Sequence, residues 1–537
     1  MTEHKILKRK WFLYVTEFFA GVSVMAVELG ASRLLAPYFS SSQIVWTIII
    51  GTIMIAMALG NLYGGRAADK DPNPDRLYRR ILIAAVWIAL IPFAGKYLIL
   101  GISALLIFSV NSNYLIWSAF AACMLIFVYP LFLLGTVTPS LAKYTMENLE
   151  DNARIIGTLG AANTVGSIIG TFVPTFVTIP AVGTAITFLI FAGILLLLAL
   201  LYFFSGRGRR GGAIVSIVLF VLGGALGWRS HFAFWKDGLR YEGESVYNYL
   251  QVEETDESVV LSTNVLFGVQ SILPKRSRFT GMYYDCAMAA PYMAGAAKKQ
   301  ERGVDFDLLV LGMGTGTYGS QCVACLPGVR VEGVEIDGKI TALAREYFAM
   351  PEDLPVATYD GRAYLNAVDK RYDVIMVDAY QDITIPFQMA SVEFFTLVRA
   401  HLKDGGVMVV NMNMRGTREG NINQYLADTI SAVFPEVYTA DVAHNTNREL
   451  FASCNPEMLA VLARNLEKIG DGELRGMLLR VSEGLTRYEP GSCVMTDDRA
   501  PVELLSMRVI DELIRDEVAW YREVYAQYGL RGVLGSL

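Results

Sequence analysis

Hydrophobic and polar positions follow different patterns in the two halves of this 537-residue chain. In the first half, apolar runs of about 20 residues recur, which is the length that crosses a bilayer as a helix. We therefore predict a multi-pass α-helical membrane domain over residues 1–230, with about seven spans. The predicted spans are residues 12–35, 44–65, 81–108, 114–138, 155–180, 184–204 and 213–229.

Beyond the apolar runs, the residues at 231–290 show the alternation of short strands. Tyr249–Glu253 and Val259–Ser262 are the clearest strand patterns, and Asn264–Gly268 is typical of a turn. This segment is predicted to be a linker and a small β subdomain.

From residue 291 to residue 537, strand patterns alternate with helix patterns. The buried run Asp307–Leu311 is followed by a glycine turn, and Lys403–Gly406 is predicted to be a turn before a later strand at 407–412. Alternation of this kind is typical of a doubly wound sheet with helices on both faces. The second half is therefore predicted to be an α/β Rossmann-like domain fused to the membrane domain.

Composition separates the two halves further. Hydrophobic residues make up 53% of the chain and charged residues 18%, below the roughly 25% of soluble domains. Residues 1–240 hold 19 Lys/Arg and 10 Asp/Glu, whereas the remainder holds 27 Lys/Arg and 42 Asp/Glu. The acidic second half repels phosphate and attracts cations, so no nucleic-acid partner is expected.

Cysteine usage indicates neither a disulfide framework nor a metal site. The chain has six Cys and four His, and one pair, Cys322 and Cys325, has the C-x-x-C spacing. A zinc or redox centre is less favoured than two small residues on a helix, because no second cysteine pair accompanies them. We predict no metal.

Ionisable residues in the first span need a structural or functional reason, because charge at membrane depth is costly. Glu17, Glu28 and Arg33 lie in or near this span. Glu28 could belong to a cation or substrate site. Alternatively, Glu28 and Arg33 could form a structural pair near the membrane surface.

The residues with candidate chemistry follow the predicted strands of the second half, where doubly wound sheets bind their ligands. Gly312, Gly314 and Gly316 allow a tight turn close to a ligand, and Glu335 lies 23 residues after Gly312, where an acid binds ribose hydroxyls. This combination suits a nucleoside sulfonium or a dinucleotide. Asp337 and Asp360–Gly361 follow two strands, and Asp378 follows a third, where it could instead cap a helix.

Short motifs across nearly the whole chain are specific when taken together. In the second half they are Gly268-Val-Gln-Ser, Tyr283-Tyr-Asp with Pro291, Gly312-Met-Gly-Thr-Gly, Val334-Glu-Ile-Asp, Asp360-Gly, Asp378-Ala-Tyr with Ile385-Pro and Glu393-Phe-Phe, and Thr496-Asp-Asp with Pro501-Val-Glu. In the first half they are Arg33-Leu-Leu-Ala-Pro-Tyr-Phe, Val45-Trp-Thr and Gly64-Gly-Arg-Ala-Ala-Asp.

In these motifs the second half resembles the polyamine aminopropyltransferases, the family of spermidine synthase. The whole chain resembles the membrane-fused branch of that family. The resemblance implies a Rossmann-like domain of the S-adenosylmethionine-dependent transferase type. It also implies two substrates, decarboxylated S-adenosylmethionine and an amine such as putrescine. Methylthioadenosine would be the second product, and the protein would be a homodimer.

The resemblance also implies roles for particular residues. Asp378 would hold and deprotonate the amine, and the other amine contacts would be Tyr283, Gln270 and Tyr380. The nucleoside would be bound by Gly312, Gly314, Gly316, Glu335, Asp337, Asp360 and Gly361.

Several positions depart from the pattern of the soluble enzymes. Thr315 replaces an Asp, Tyr284 replaces a Gln or His, and Asp285 replaces a Glu, while Gln381 stands where a second acid is usual. The acceptor amine therefore stays open. A methyltransferase that uses ordinary S-adenosylmethionine, and a membrane transporter with a regulatory nucleoside-binding domain, are the alternative functions.

The charges of the loops predict which side of the membrane the second half faces, and that side conflicts with the cytoplasmic location of the expected co-substrate. Basic residues flank alternate spans, which places the N-terminus in the cytoplasm by the positive-inside rule. Seven spans then put the second half outside, whereas the cofactor is cytoplasmic. A bend of the third span at Pro92, or a seventh run that does not cross, would resolve the conflict. We predict an inner (plasma) membrane protein whose catalytic domain faces the cytoplasm.

Overall fold

The fold is described by a computed structural model of the chain. It describes residues 10–39, 42–107, 113–146, 152–206, 211–228, 231–233, 236, 238–263, 269–379, 385–413, 415–416, 418–443 and 445–536. The chain divides into two compact units, Met1–Lys236 and Asp237–Leu537. The strands predicted within 231–290 belong to the second unit.

The described part of the first unit is helical, as the apolar runs predict. Its elements are α1 (Lys10–Phe39), α2 (Gln43–Lys70), α3 (Pro74–Ile107), α4 (Tyr114–Ile126), α5 (Val128–Gly135), α6 (Val137–Thr145), α7 (Asn152–Val173), a π-helical segment (Pro174–Thr178), α8 (Ile179–Phe204) and α9 (Gly211–Gly227).

Four helical segments among the described residues are long and apolar enough to cross a membrane: Lys10–Phe39, Gln43–Lys70, Pro74–Leu106 and Asn152–Phe204. A fifth is added if α4 and Val128–Thr145, which are bent by 49°, form one span. Asn152–Phe204 contains two predicted spans, because Gly183 (φ 80°, ψ 169°) interrupts the helix between them. α9 is a shorter apolar helix, and α3 continues through Pro92 without the bend considered above. The count of seven spans stays a prediction.

Glycines bring the helices of this unit into close contact. A Cβ on Gly21 of α1 would lie 2.5 Å from the carbonyl oxygen of Asn163 on α7, and Gly166 and Gly170 of α7 meet backbone of α1 even more closely. In contrast, Gly157 has no heavy atom within 4 Å of such a Cβ. Small residues of this kind are the usual means by which membrane helices pack.

Polar side chains connect the helices in the interior of the unit. Glu17 is fully buried, and its Oε1 accepts hydrogen bonds from Thr138 Oγ1 (2.6 Å) and Asn163 Nδ2 (2.8 Å). Tyr202 donates to Asp75 Oδ1 at 2.6 Å. Glu17 therefore joins α1 to α6 and α7.

The second unit begins with a small antiparallel sheet. Its strands, in the order β1-β2-β3-β4, are β1 (Leu239–Glu244), β2 (Tyr249–Glu254), β3 (Ser258–Ser262) and β4 (Ser271–Pro274). The alternating residues Leu250, Val252, Val259 and Leu261 are buried against a helix that contains Leu343. The short strands at Tyr249–Glu254 and Ser258–Ser262 lie where strands were predicted, and their alternating apolar residues form one face of the sheet.

A larger sheet of eight strands follows, in the order β12-β10-β11-β9-β8-β5-β6-β7. Strands β5 to β9 are parallel to one another, whereas β11 pairs antiparallel with β9, and β10 pairs antiparallel with both β11 and β12. The strands are β5 (Phe306–Leu311), β6 (Val329–Glu335), β7 (Val356–Thr358), β8 (Tyr372–Val377), β9 (Leu402–Met412), β10 (Glu436–Asp441), β11 (Arg448–Ser453) and β12 (Thr486–Arg487).

Helices surround this sheet and bury its central strands. They are α10 (Tyr283–Ala287), α11 (Ala289–Met293), α12 (Ala296–Glu301), α13 (Thr317–Cys325), α14 (Gly338–Tyr347), α15 (Gly361–Ala367), a 3₁₀ turn (Phe387–Met389), α16 (Val392–Ala400), α17 (Ile422–Ser431), α18 (Met458–Leu466), α19 (Gly472–Gly484) and α20 (Val502–Ser536). Every residue of β5 and β8 is buried.

One local prediction is wrong. Lys403–Gly406 is not a turn ahead of a strand but part of β9, with a register irregularity against β8 between Tyr372 and Val374. Gly405 has φ 76°, so the glycines let the strand continue through an irregularity at the place where a turn was expected to precede it.

Candidate active site

A cavity of about 240 Å³ opens at the carboxyl ends of the parallel strands of the second unit. Its lining combines polar residues from three loops after strands with apolar residues that close its sides, the usual composition of a small-molecule site. Of the predicted site residues, it is lined by Gln270, Gly312, Gly314, Glu335, Asp360, Gly361 and Asp378. The strand-end acids are thus brought together as expected.

The glycine turn after β5 is shaped by its positive backbone angles. Gly312 has φ 86°, and a Cβ there would lie 2.5 Å from the carbonyl oxygen of Asp378. Only glycine therefore lets the β5 turn pass this close to the β8 end. Gly314 lines the cavity, whereas Gly316 precedes α13 and does not.

Glu335 is held in place by backbone amides at the end of β6. Its Oε2 accepts from Gly314 N at 2.9 Å and its Oε1 from Asp337 N at 3.0 Å. Burial raises the pKa of Glu335, and these hydrogen bonds oppose the rise. One donor on each oxygen leaves lone pairs on both, so this carboxylate can accept two further hydrogen bonds from a ligand.

Asp337 lies beside the cavity but is not part of its lining. Its carboxylate accepts from Ser245 Oγ (2.5 Å), Asn248 Nδ2 (3.0 Å) and the Lys339 amide (3.0 Å). These contacts join the β1–β2 turn to the start of α14. Asp337 therefore positions the small sheet, whose Asn248 and Tyr247 do line the cavity.

Asp360 and Gly361 follow β7 at the start of α15. Asp360 Oδ1 accepts from the Ala363 amide at 2.8 Å and so caps the helix. The same residue lines the cavity, where it is near Tyr359 and Met389. It can cap the helix and contact a ligand at the same time, because the cap uses one oxygen.

Asp378 directly follows β8 and is bound by side chains from two other elements. Tyr283 donates to its Oδ2 at 2.6 Å, and Asn411 Nδ2 donates to its Oδ1 at 2.9 Å. Burial raises the pKa of Asp378 to about 7, with a further rise from Glu335, while the two hydrogen bonds lower it. Both partners are side chains of other elements, and residues 380–384, whose amides a helix cap at Asp378 would bind, lie outside the described residues.

The partners of Asp378 are themselves held in place. Tyr283 packs on Tyr284 with ring centroids 3.9 Å apart, and the Tyr284 hydroxyl donates to the Gln270 carbonyl at 2.8 Å. Asn411 Oδ1 accepts from Asn447 Nδ2 at 2.8 Å, which turns its amide nitrogen toward Asp378.

Sequence reasoning missed Asn411 and Asn447. Asn411 lies near the carboxyl end of β9, so the rule that identified the strand-end acids could have identified it. Asn447 lies in an antiparallel hairpin, and nothing local marks it. Asp285 is one of the positions that differ from the soluble enzymes. Its carboxylate accepts hydrogen bonds from Thr280, Gly281 and Gln321, which closes the loop before α10.

Tyr380, Gln381 and Gly268 lie outside the described residues. Among the residues that are described, no group of three or more His, Cys, Asp or Glu is arranged to hold a metal ion. Cys322 is buried, and the sulfur of Cys325 lies 2.7 Å from Arg278.

Comparison with known proteins identifies relatives of the second unit. Residues 307–451 match the family described as the spermine/spermidine synthase domain. The chain is 49% identical over 355 residues to a probable polyamine aminopropyl transferase of Bifidobacterium longum, covering 63% of this chain and 78% of that protein. That aligned share exceeds the length of the second unit, so it also includes residues of the helical unit.

Two further similarities are more distant. An eEF1A lysine and N-terminal methyltransferase of Xenopus laevis is 28% identical over 217 residues, which cover 36% of this chain and 31% of that protein. The spermidine synthase structure from Thermotoga maritima has 18% identity and a TM-score of 0.36, over 44% of this chain and 82% of that one.

Proposed function

Because the chain belongs to the polyamine aminopropyltransferase family, we propose that it transfers the aminopropyl group of decarboxylated S-adenosylmethionine to a diamine such as putrescine. The observation that supports this most directly is Asp378, a buried acid with a pKa near 7 that lines the same cavity as Glu335. A base and a nucleoside site in one cavity are what such a transfer requires.

The nucleoside contacts follow from the cavity lining. Glu335 accepts the two ribose hydroxyls with its remaining lone pairs, and the glycine turn at Gly312–Gly314 approaches the same part of the ligand. Asp360 accepts from the adenine amino group. These residues come from the ends of β5, β6 and β7, so the folded sheet supplies them together.

The proposed reaction is a displacement at carbon. The acceptor enters as an ammonium, and the Asp378 carboxylate removes one proton, which frees the nitrogen lone pair. That nitrogen attacks the methylene next to the sulfonium, a C–N bond forms, and the C–S bond breaks with its electrons going to sulfur. Methylthioadenosine leaves as a neutral thioether.

Two features of the site serve this reaction. Tyr283 and Asn411 fix both oxygens of Asp378, so the base and the nucleophile are held in line, which is a large part of catalysis in bimolecular reactions. A pKa near 7 suits general base catalysis near neutral pH. The carboxylates Asp378 and Glu335 also disfavour ordinary S-adenosylmethionine, because it carries a carboxylate that its decarboxylated form lacks.

The test is a product assay on the full chain purified in detergent. Decarboxylated S-adenosylmethionine is supplied with putrescine, cadaverine, spermidine or agmatine, and methylthioadenosine release is followed. Release that depends on one amine supports the proposal and identifies the acceptor. Methyl transfer from ordinary S-adenosylmethionine, without aminopropyl transfer, contradicts it in favour of the methyltransferase alternative.

We further propose that the helical unit spans the inner membrane several times, with the catalytic unit in the cytoplasm and the protein forming a homodimer. The long apolar helices support the first part. Cys454 is exposed, so it should react with an impermeant maleimide in everted membrane vesicles and not in intact cells. Labelling in intact cells contradicts the orientation, and Cys454→Ser is the control. Light scattering of the purified protein tests the dimer.

A further inference from the structure

The motif Thr496-Asp-Asp is not used by the proposed reaction, yet its first aspartate forms a two-pronged ion pair. Arg362 donates from Nη1 to Asp497 Oδ1 and from Nη2 to Asp497 Oδ2, both at 2.7 Å. Ser391 Oγ also donates to Oδ1, at 2.5 Å. The Arg362 guanidinium lowers the pKa of Asp497 to about 2, so this carboxylate is charged throughout the neutral range. Paired charge-assisted hydrogen bonds of this kind are strong and fix the orientation of the two groups.

An ordinary surface ion pair of the same unit shows the difference. Lys468 Nζ donates to Glu301 Oε2 at 2.7 Å, and the two side chains are 42% and 55% exposed. Such pairs contribute little, because water and salt screen the charges and the long side chains lose conformational freedom. Arg362 and Asp497 are only 22% and 40% exposed and share two contacts, so they fix the elements that carry them.

Arg362 joins two elements that line the cavity. It is the second residue of α15, directly after Asp360 and Gly361, which both line the cavity. Its Nη1 also donates to the carbonyl oxygen of Gln388 at 2.9 Å, in the 3₁₀ turn before α16. Gln388 and Met389 of this turn line the cavity too. One guanidinium therefore holds the 3₁₀ turn and the start of α15 together.

The 3₁₀ turn and α15 are in close contact where they form the cavity wall. A Cβ on Gly361 would lie 3.2 Å from Met389 Cε and 3.6 Å from Leu311 Cβ, so the glycine leaves just enough space for the turn. Interiors packed this closely transmit the shift of one element to its neighbours. A displaced turn would therefore alter the space beside Asp360.

Asp497 is a fixed point, because its own segment is attached to α16. Its backbone amide donates to Glu393 Oε2 at 3.1 Å, and the Met495 carbonyl accepts from the Val392 amide at 3.0 Å. Glu393 and Val392 lie in the first turn of α16, and Ser391, which caps that helix, contacts Asp497 directly. The ion pair therefore connects α16 to the wall of the cavity.

We propose that Arg362 and Asp497 are positioning residues whose ion pair sets the shape of the nucleoside end of the cavity, by holding the 3₁₀ turn against the start of α15. This inference rests on the proposed function, in which Asp360 contacts the adenine. Neither Arg362 nor Asp497 is among the described residues that line the cavity, so both act through its wall. The motif that contains Asp497 thus contributes to binding of the aminopropyl donor.

The test measures binding of methylthioadenosine to the full chain purified in detergent, by isothermal titration calorimetry. Asp497→Asn and Arg362→Gln should each raise Kd at least about fivefold, as expected for residues of one hydrogen-bond network. In steady-state assays with putrescine, KM for decarboxylated S-adenosylmethionine should rise likewise while kcat stays the same, because binding is weakened and the transfer step is not. Glu301→Gln breaks the ordinary pair with Lys468 and is the control, with no change in Kd.

Calorimetry also separates positioning from a purely structural role. A loss of stability alone lowers the number of binding sites per chain and leaves the Kd of the folded fraction unchanged, which would overturn the proposal. The double variant Arg362→Gln/Asp497→Asn should raise Kd no more than the more damaging single change, because both changes remove the same ion pair. Additive losses would contradict a shared action of the two residues.

A milder variant covers the case in which these proteins fail to fold. Arg362→Lys keeps the charge, but an ammonium group cannot bind both carboxylate oxygens as a planar fork does. It should therefore still raise Kd, by a smaller factor than Arg362→Gln. Methylthioadenosine binding equal to that of the wild-type protein would overturn the proposal.

Failure of the proposed function has a different signature. A wild-type protein that binds no methylthioadenosine contradicts the nucleoside site itself, and the positioning role with it. Wild-type binding together with an unchanged Kd in the variants leaves the proposed function intact and contradicts only the role of Arg362 and Asp497.

Discussion

The helical unit and the catalytic unit place apolar side chains in opposite ways. In the helical unit, large apolar side chains such as Leu105, Phe176 and Met54 are 72%, 66% and 65% exposed, and glycines form many of the interior contacts. In the catalytic unit, strands β5 and β8 are buried along their whole length. An exposed apolar surface of this kind is what the proposed membrane insertion of the helical unit would cover, and the catalytic unit shows the opposite arrangement.

Both units also bury an acid, and the comparison shows what makes one of them a candidate base. Glu17 receives both of its donors on one oxygen, from helices on either side, and so joins three helices. Asp378 receives one donor on each oxygen and lines a cavity beside a second carboxylate. Both acids are buried, so burial does not distinguish them. Asp378 is the candidate base because it lines a cavity that a ligand can enter.

The largest expected effect is the loss of activity when Asp378 is replaced, compared with the replacement of Glu17 in the helical unit. Asp378→Asn should lower kcat by about 10²–10⁴-fold, the usual contribution of a general base. Glu17→Gln keeps the size of the side chain in the other unit and should leave kcat unchanged. Steady-state methylthioadenosine release from the two full-length variants measures both. Unimpaired turnover by Asp378→Asn would remove Asp378 from the mechanism.

A smaller effect is expected from crowding the glycine turn. Gly312→Ala places a Cβ against the backbone of Asp378 and should lower kcat/KM by about 10²-fold, because small displacements of reacting groups are costly. Gly281 also has a positive φ (72°) but open space around it. Gly281→Ala is therefore the control, because it adds the strain of a positive φ without a steric clash and should lower kcat/KM much less. Similar losses in the two variants would mean that the close approach at Gly312 is unimportant.

In the helical unit, the corresponding change should affect stability rather than catalysis. Gly170→Val inserts side-chain atoms against the backbone of Val22 and should destabilise the unit by about 1–3 kcal/mol. Gly157→Val faces open space and serves as the control. Cys123 is buried in this unit, so its rate of maleimide labelling during heating reports the unfolding. Equal midpoint temperatures of Cys123 labelling for the two variants would contradict the proposed role of Gly170 in the contact between the helices.

The smallest expected effect is a pH dependence confined to the catalytic unit. Since Asp378 must be ionised to accept a proton, kcat/KM should rise about tenfold per pH unit below its pKa of about 7 and level off above it. The raised pKa also stabilises the fold below about pH 4, and this contribution is lost as the pH rises through 7. Between pH 5.5 and pH 8.5, the free energy of unfolding should therefore decrease less for Asp378→Asn than for the wild-type protein, which thermal unfolding at each pH measures. A value of kcat/KM that does not change with pH would contradict the assignment of Asp378 as the general base.

Much of this arrangement could be predicted from local patterns. The apolar runs predicted the helices, and the family named from the motifs is confirmed by the relative from Bifidobacterium longum. Glu335, Asp360 and Asp378 follow parallel strands, so their convergence was predictable from topology. The location of Asp337 was not, because its contacts to Ser245 and Asn248 come from a sheet distant in sequence.

The sequence by itself determined the division into an apolar and an acidic half, the alternation of strand and helix, and the glycine turn with its strand-end acids. These depend on short-range periodicity and backbone freedom, which a few neighbouring residues specify. Only the tertiary structure decided that Asn411 and Asn447 orient Asp378, and that Glu449, two strands away in the sheet, is buried with no hydrogen-bond partner among the described residues. Such contacts depend on strand register and burial, because residues far apart in the chain become neighbours only when the sheet has formed.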